Sequence, residues 1–190
     1  MSEEADVVIG AGDPDPLVAG SSIAQLKSAG VETVLAQHGP SLSLHAGHIL
    51  RHTADRPFVT AMVTVSQNDM IARKGEGRVV ATGSTARRWI DIQRTRNNAV
   101  VVGAATARQD DPSLVVTLPG LTARTPLRVV LAGAGGAGRD INLVGGFSGY
   151  RTAVIAQTDA PVDAPVSVET IRVTGHDGRP DLDNALAALA

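Results

Sequence analysis

The sequence predicts an α/β protein, a central sheet flanked by helices. Three observations carry this. Short aliphatic runs such as Ala99 to Gly103 (AVVVG), Leu127 to Ala132 (LRVVLA) and Thr152 to Gln157 (TAVIAQ) are too short for buried helices and suit fully buried strands. Helical-period stretches alternate with several of these runs, as a sheet covered on both faces requires. Composition agrees: 43% of the 190 residues are hydrophobic but only 2% aromatic, so the core must be Val, Ala, Leu and Ile.

Taken in order, Asp6 to Gly10 (DVVIG) reads as a strand stopped by the GDPDP turn that starts at Gly12. From Val18 to Ala29, Ile23, Leu26 and Ala29 recur at helical spacing, and Gly30 fits a C-cap. Val31 to Ala36 is a second strand, completing a β–α–β unit with a connection long enough for parallel pairing. A helix is expected from Ser41 to His52. Phe58 to Ser66 (FVTAMVTVS) is β-prone, Gln67-Asn68-Asp69 is a turn, and a further short strand is expected within Met70 to Ala81. Thr82 to Thr85 offers caps for a helix over Ala86 to Arg96. Strand Ala99 to Gly103 leads into a helical turn, Thr106 to Asp110, that ends at Pro112. Strands Leu127 to Ala132, Thr152 to Gln157 and Glu169 to Val173 follow, and Asp181 caps a closing helix. Ala132 to Gly138 (AGAGGAG) and Asp159 to Val166 (DAPVDAPV) read as loops.

Composition excludes whole classes of function. A net charge of −2 and four aromatic residues argue against phosphate-neutralising or base-stacking nucleic-acid binding. Zero cysteines exclude disulfides, thiol nucleophiles and cysteine-ligated metals. No apolar run approaches the ~20 residues of a membrane span, and MSEEADVV lacks the features of a secretory signal, so a cytoplasmic protein is expected.

Four features invite chemistry. Gly133, Gly135 and Gly138 match the spacing of a dinucleotide loop, but no helix signal follows within Arg139 to Val144, so a flexible loop is the simpler reading. His45, His48 and His52 fall on one helical face. They form either a solvated face or a metal module, and no nearby carboxylate completes a ligand set with them. Arg87, Arg88, Arg94 and Arg96 crowd one short helix, which is either a charged surface or an anion clamp. Most informative is Gly103 to Leu114 (GAATARQDDPSL): small residues at a strand's carboxyl end admit a ligand, and Thr and Asp supply polar partners.

These residues bring a resemblance into view. Arg94 to Leu114 resembles the R-x-x-x-[DN]-A-[IV]-x-x-G-x-x-T-x-x-x-D-D-P-x-L segment of the bifunctional riboflavin-biosynthesis deaminase–reductase family, in its reductase domain. Arg56 to Thr60 (RPFVT) resembles the entry to that domain, and Pro126 to Leu131 (PLRVVL) the next strand. Asp13 to Leu35 resembles the end of the preceding deaminase domain. The resemblance implies a dihydrofolate-reductase-like sheet over residues 55–190, incomplete at its C-terminus, after a deaminase remnant at 1–54. It implies an NADPH-dependent reductase turning a phosphorylated ribosylamino-pyrimidine into its ribitylamino form. By position, Thr64, Thr106, Asp110 and Gly133 would contact the cofactor, and Arg94, Leu114 and Arg78 the substrate. No catalytic residue and no metal ligand is assigned.

Departures from the family pattern are specific. Met62 stands where the family has lysine, Ser66 to Asp69 replaces an S-L-D-G turn, Arg78 and Val80 replace serine and tryptophan, and Thr117 replaces an arginine. The deaminase zinc motif and the later V-E-G-G segment are absent from the chain. Slow turnover is therefore expected, with a nucleotide- or partner-binding relative as the alternative. Open sheet edges in such a domain make a homodimer the expected assembly.

Overall fold

The computed structural model describes residues 7–71, 82–138, 140–146 and 149–190. They fall into two compact units, Met1–Thr60 with Leu189–Ala190, and Ala61–Ala188.

In the first unit, β1 (Val7–Ile9) pairs in parallel with β2 (Thr33–Leu35) through α1 (Ser21–Ser28), the predicted β–α–β unit. Gly30, at φ +81°, ends α1: its N–H donates to the Lys27 carbonyl at 3.1 Å, and that of Val31 to Leu26 at 3.0 Å. This pair of bonds satisfies carbonyls that the helix end leaves open. The single helix expected over 41–52 is two, α2 (Gly39–Leu44) and α3 (Ala46–Ala54). His45 ends one and starts the other at φ −97°, ψ 10°.

The second unit holds α4 (Ser84–Thr95), β3 (Ala99–Gly103), α5 (Ala104–Asp110), β4 (Leu127–Leu131), β5 (Thr152–Gln157), β6 (Glu169–Val173), the short β7 (Gly175–His176) and β8 (Arg179–Pro180), and α6 (Leu182–Ala187). The sheet is parallel throughout, in the order β3-β4-β5-β6. On its central strands both faces are buried: neighbouring Val129 and Val130, and Val154 and Ile155, are all inaccessible. Val130, Val154 and Ala156 pack with Ala104 and Ala107 of α5 and with Leu114, Ile141, Leu143 and Val144. Asp181 caps α6 as predicted, accepting from the Asn184 N–H at 3.0 Å.

One expectation needs correction. Phe58 to Ser66 forms no strand; it runs without sheet pairing, and Phe58, Val59, Met62, Val63 and Val65 are exposed. High β propensity needs a partner edge, which these residues do not find among the described strands. As the expected loops at Ala132 to Gly138 and Asp159 to Val166 imply, the described residues between β4 and β5 and between β5 and β6 carry no α-helix, only a π-helical turn at Asn142–Gly146 and irregular chain. Glycine and proline along these stretches disfavour helix. The strand expected within Met70 to Ala81 lies almost wholly outside the described residues, and Met70 and Ile71 are not in it.

Candidate functional site

Open parallel sheets bind ligands at the carboxyl ends of their strands. Here β3 runs straight from Gly103 into α5, and β4 runs through Ala132 into the glycine loop. Gly103 pairs with Leu131, so both loops leave the same sheet edge side by side. Thr106 and Asp110, four residues apart on α5, share one helical face. Ala104 and Ala107 hold the opposite face in the core. The Asp110 carboxylate has no hydrogen-bond partner among the described residues. Gly133 is bridged to Gly136, whose N–H donates back to the Gly133 carbonyl at 2.9 Å. A Cβ placed on Gly103, Gly133 or Gly135 would meet nothing within 4 Å, so backbone lies open to a ligand here. Among the described residues the loop opens no α-helix, as the sequence suggests.

The same unit holds an open cleft of about 400 Å³, lined by Arg87, Asp91, Arg94, Asp111, Ser113 and Leu114 among others. Its wall begins at Asp111, one residue after Asp110. Arg94 and Leu114, which the resemblance makes substrate contacts, therefore meet in one cavity. Leu114 is also a core residue, 5% exposed, with φ +55°, so the chain turns sharply where the cleft meets the core. Asp111 has a structural job. At φ +40° it accepts from the backbone N–H of Asn142 at 2.7 Å and from the Asn142 side-chain amide.

Sequence reasoning missed Asp91 and Arg108. Asp91 is 5% exposed and accepts from Arg94 Nη1 at 2.8 Å and from the N–H and O–H of Thr117 at 2.9 and 2.6 Å. Burial alone would raise its carboxyl, but the Thr117 hydroxyl and N–H, with Arg94, outweigh this and hold it below the usual value. The only sequence signal was a lone acid on an arginine-rich helix.

Other expected residues fall elsewhere. Thr64 is exposed in the unpaired extended segment, and Arg78 lies outside the described residues. On α3, His48 Nε2 sits 2.9 Å from Asp13 Oδ1 and its ring 4.6 Å from that of His52. The fold thus supplies a carboxylate that is distant in sequence. Among the described residues no group of three or more His, Cys, Asp or Glu side chains is placed to hold a metal ion. No described helix is long and apolar enough to cross a membrane.

Known proteins bear on this site. Residues 57–190 match the profile of the RibD C-terminal domain. The riboflavin biosynthesis protein RibD of Actinobacillus pleuropneumoniae is 30% identical over 191 residues, covering 96% of this chain and 50% of its own length. That of Synechocystis sp. is 36% identical over 129 residues, covering 67% of this chain and 34% of its own. Among solved structures, a Thermotoga maritima protein is described as a diaminohydroxyphosphoribosylaminopyrimidine deaminase/5-amino-6-(5-phosphoribosylamino)uracil reductase. It superposes with a TM-score of 0.75 at 25% identity, over 97% of this chain and 50% of that one. Acinetobacter baumannii RibD gives 0.71 at 25% identity, over 97% and 51%. The chain spans about half the length, or less, of these relatives. The parallel α/β architecture agrees with the fold that the sequence implies. With the profile running from Pro57 through both the ledge and the cleft, the chain belongs to the RibD C-terminal domain family.

Proposed function

We propose that residues 57–190 form an NADPH-dependent reductase of riboflavin biosynthesis acting on a phosphorylated ribosylamino-pyrimidine, the substrate class named for the Thermotoga relative. One pair of features carries this reading: open backbone at the ends of β3 and β4, and, in the same unit, a cleft holding Arg87 and Arg94. The ledge suits a nucleotide, because a Cβ at Gly133 or Gly135 would fill space that nothing else occupies. Thr106, Asp110 and Gly133 would hold the cofactor, with Thr64 along it; Arg94, Leu114 and Arg78 would meet the substrate. Bound NADPH supplies a hydride, and the reduction also takes up one proton. The chain's own part is orientation, anchoring of the phosphate by Arg94, and exclusion of water.

Residues 1–54 are read as a deaminase remnant, supported by matches that run over 96–97% of the chain. The homodimer and the cytoplasmic location expected from the sequence belong to the same proposal.

Titration of the chain with NADPH and NADH tests the cofactor, and single-turnover NADPH oxidation with 5-amino-6-(5-phosphoribosylamino)uracil tests the reaction. NADPH should bind more tightly than NADH, and oxidation should run slower than the ~1–10³ s⁻¹ of ordinary enzymes. Failure to bind either nucleotide at millimolar concentration defeats the reading. A second reading, a nucleotide-binding relative without turnover, is favoured by Met62. That side chain is 43% exposed where the family has a lysine, and it offers no charge to an anionic substrate. Tight NADPH binding with no oxidation would select it.

A further inference from the structure

Asp91 is the buried acid of the cleft, and its hydrogen bonds have a division of labour. Oδ1 accepts from Arg94 Nη1, one turn further along α4; Oδ2 accepts the N–H and the O–H of Thr117. Arg94 Nη1 also donates to the Val115 carbonyl at 3.3 Å. One carboxylate thus joins α4 to residues 115–117, and Asp91, Arg94, Val115 and Thr117 all line the same cavity.

A guanidinium has five N–H donors in a rigid fork. Both partners of Arg94 among the described residues are served by Nη1. Its Nε and Nη2 groups form the edge that grips an oxyanion with two parallel hydrogen bonds. An unheld arginine samples many rotamers and loses that freedom on binding; a held one has lost it already. Thr117 sharpens the point. The resemblance leads one to expect an arginine there, but this chain uses the position's hydroxyl and N–H to grip Asp91.

We infer that Asp91 is a positioning residue, which with Thr117 fixes the Arg94 guanidinium so that its Nε–Nη2 edge is presented to the phosphate of a sugar-phosphate ligand. The inference rests on the proposed reading of the cleft as a phosphate-binding substrate site and assigns the group that prepares it.

The test uses the full chain, with ribose 5-phosphate as the calorimetric probe and the Arg94 Nε–Hε resonance as the structural one. In the wild type that resonance should be distinct and protected from solvent exchange. Asp91→Asn should weaken ribose 5-phosphate by about tenfold or more, the usual scale for losing a charged hydrogen-bond partner, and should leave the Arg94 resonance averaged. Asp91→Glu should recover part of both. Thr117→Val removes one of the three hydrogen bonds and serves if Asp91→Asn does not fold; it should move both readouts in the same direction. Loss of probe binding in Arg94→Ala, with wild-type binding and an unaltered Arg94 resonance in Asp91→Asn, overturns the inference alone. Equal binding by the wild type and Arg94→Ala overturns the phosphate reading of the cleft, and the inference with it.

Discussion

Arg108 donates from Nη1 to the carbonyl of Gly136 at 2.9 Å, tying the helix after β3 to the loop after β4. A Cβ on Gly138 would come within 3.3 Å of the Arg108 side chain, so that stem also lies along the loop. The two halves of the ledge are thereby held together by a charge-assisted hydrogen bond made within the chain itself.

The paired aspartates after α5 should separate cleanly. Asp110→Ala should raise the Kd for NADPH about tenfold or more, with little change in stability, because its carboxylate has no partner to lose among the described residues. Asp111→Ala should lower unfolding free energy by about 1–2 kcal/mol by releasing Asn142, with nucleotide affinity nearly unchanged. Calorimetric titration and urea denaturation of both variants check this; equal losses of affinity would reject the assignment.

Two glycines of the loop should behave oppositely. Gly133→Val adds atoms where a Cβ meets nothing within 4 Å, so the melting temperature should hold while NADPH binding weakens. Gly136 lies at φ +72°, and a Cβ there would sit 3.3 Å from the Asp163 backbone nitrogen, so Gly136→Ala should cost about 1–2 kcal/mol through backbone strain. Matched melting and binding curves decide it.

Arg128 is 1% exposed on β4 and reaches the carbonyls of Ser113 and Tyr150 and the Thr152 hydroxyl, at 3.2, 3.3 and 2.5 Å. Its guanidinium also lies 5.7 Å from the Tyr150 ring centroid. Burial lowers its pKa, yet a guanidinium stays charged at neutral pH. Arg128→Met should cost about 2–4 kcal/mol in urea denaturation, since it takes the donor from three part-buried acceptors, one of them the Ser113 carbonyl in the wall of the cleft. A loss below 1 kcal/mol would contradict this.

Acid should act through Asp91. Its folded pKa lies below the ordinary 3.8, so its contribution to stability is fully present above about pH 5 and is lost as pH falls through the folded value. Asp13, held low by its hydrogen bond from His48, has the same sign in the other unit. Melting temperature against pH should therefore fall less steeply below pH ~4 in Asp91→Asn than in the wild type. Superimposable acid limbs would refute the assignment.

Much of the sheet was legible because it is locally determined. Ala99 to Gly103, Thr152 to Gln157 and Glu169 to Val173 are strands to the residue, as short aliphatic runs cut off by loop formers should be. Phe58 to Ser66 has a stronger β signal than any of them and is not a strand, because pairing depends on a distant edge that propensity does not report. The β3 end of the ledge was readable from Gly103 and the small residues around Thr106, whereas the loop holding Gly133 and Gly135 read as flexible chain. Asp91 was not readable: a carboxylate on an arginine-rich helix looks solvated, and its hydrogen-bond partner Thr117 arrives 26 residues later.

The strand order also has a kinetic meaning. Each of β4, β5 and β6 lies against the strand made just before it, and the spans to be closed shorten along the chain: Ala99 pairs with Leu127, Arg128 with Thr152, Ala153 with Glu169. Loop-closure entropy therefore falls with each addition, and none of β4, β5 and β6 waits for a later strand before it has an edge to join. A nascent chain leaving the ribosome can lay this sheet down in the order in which it is made, growing at a single edge.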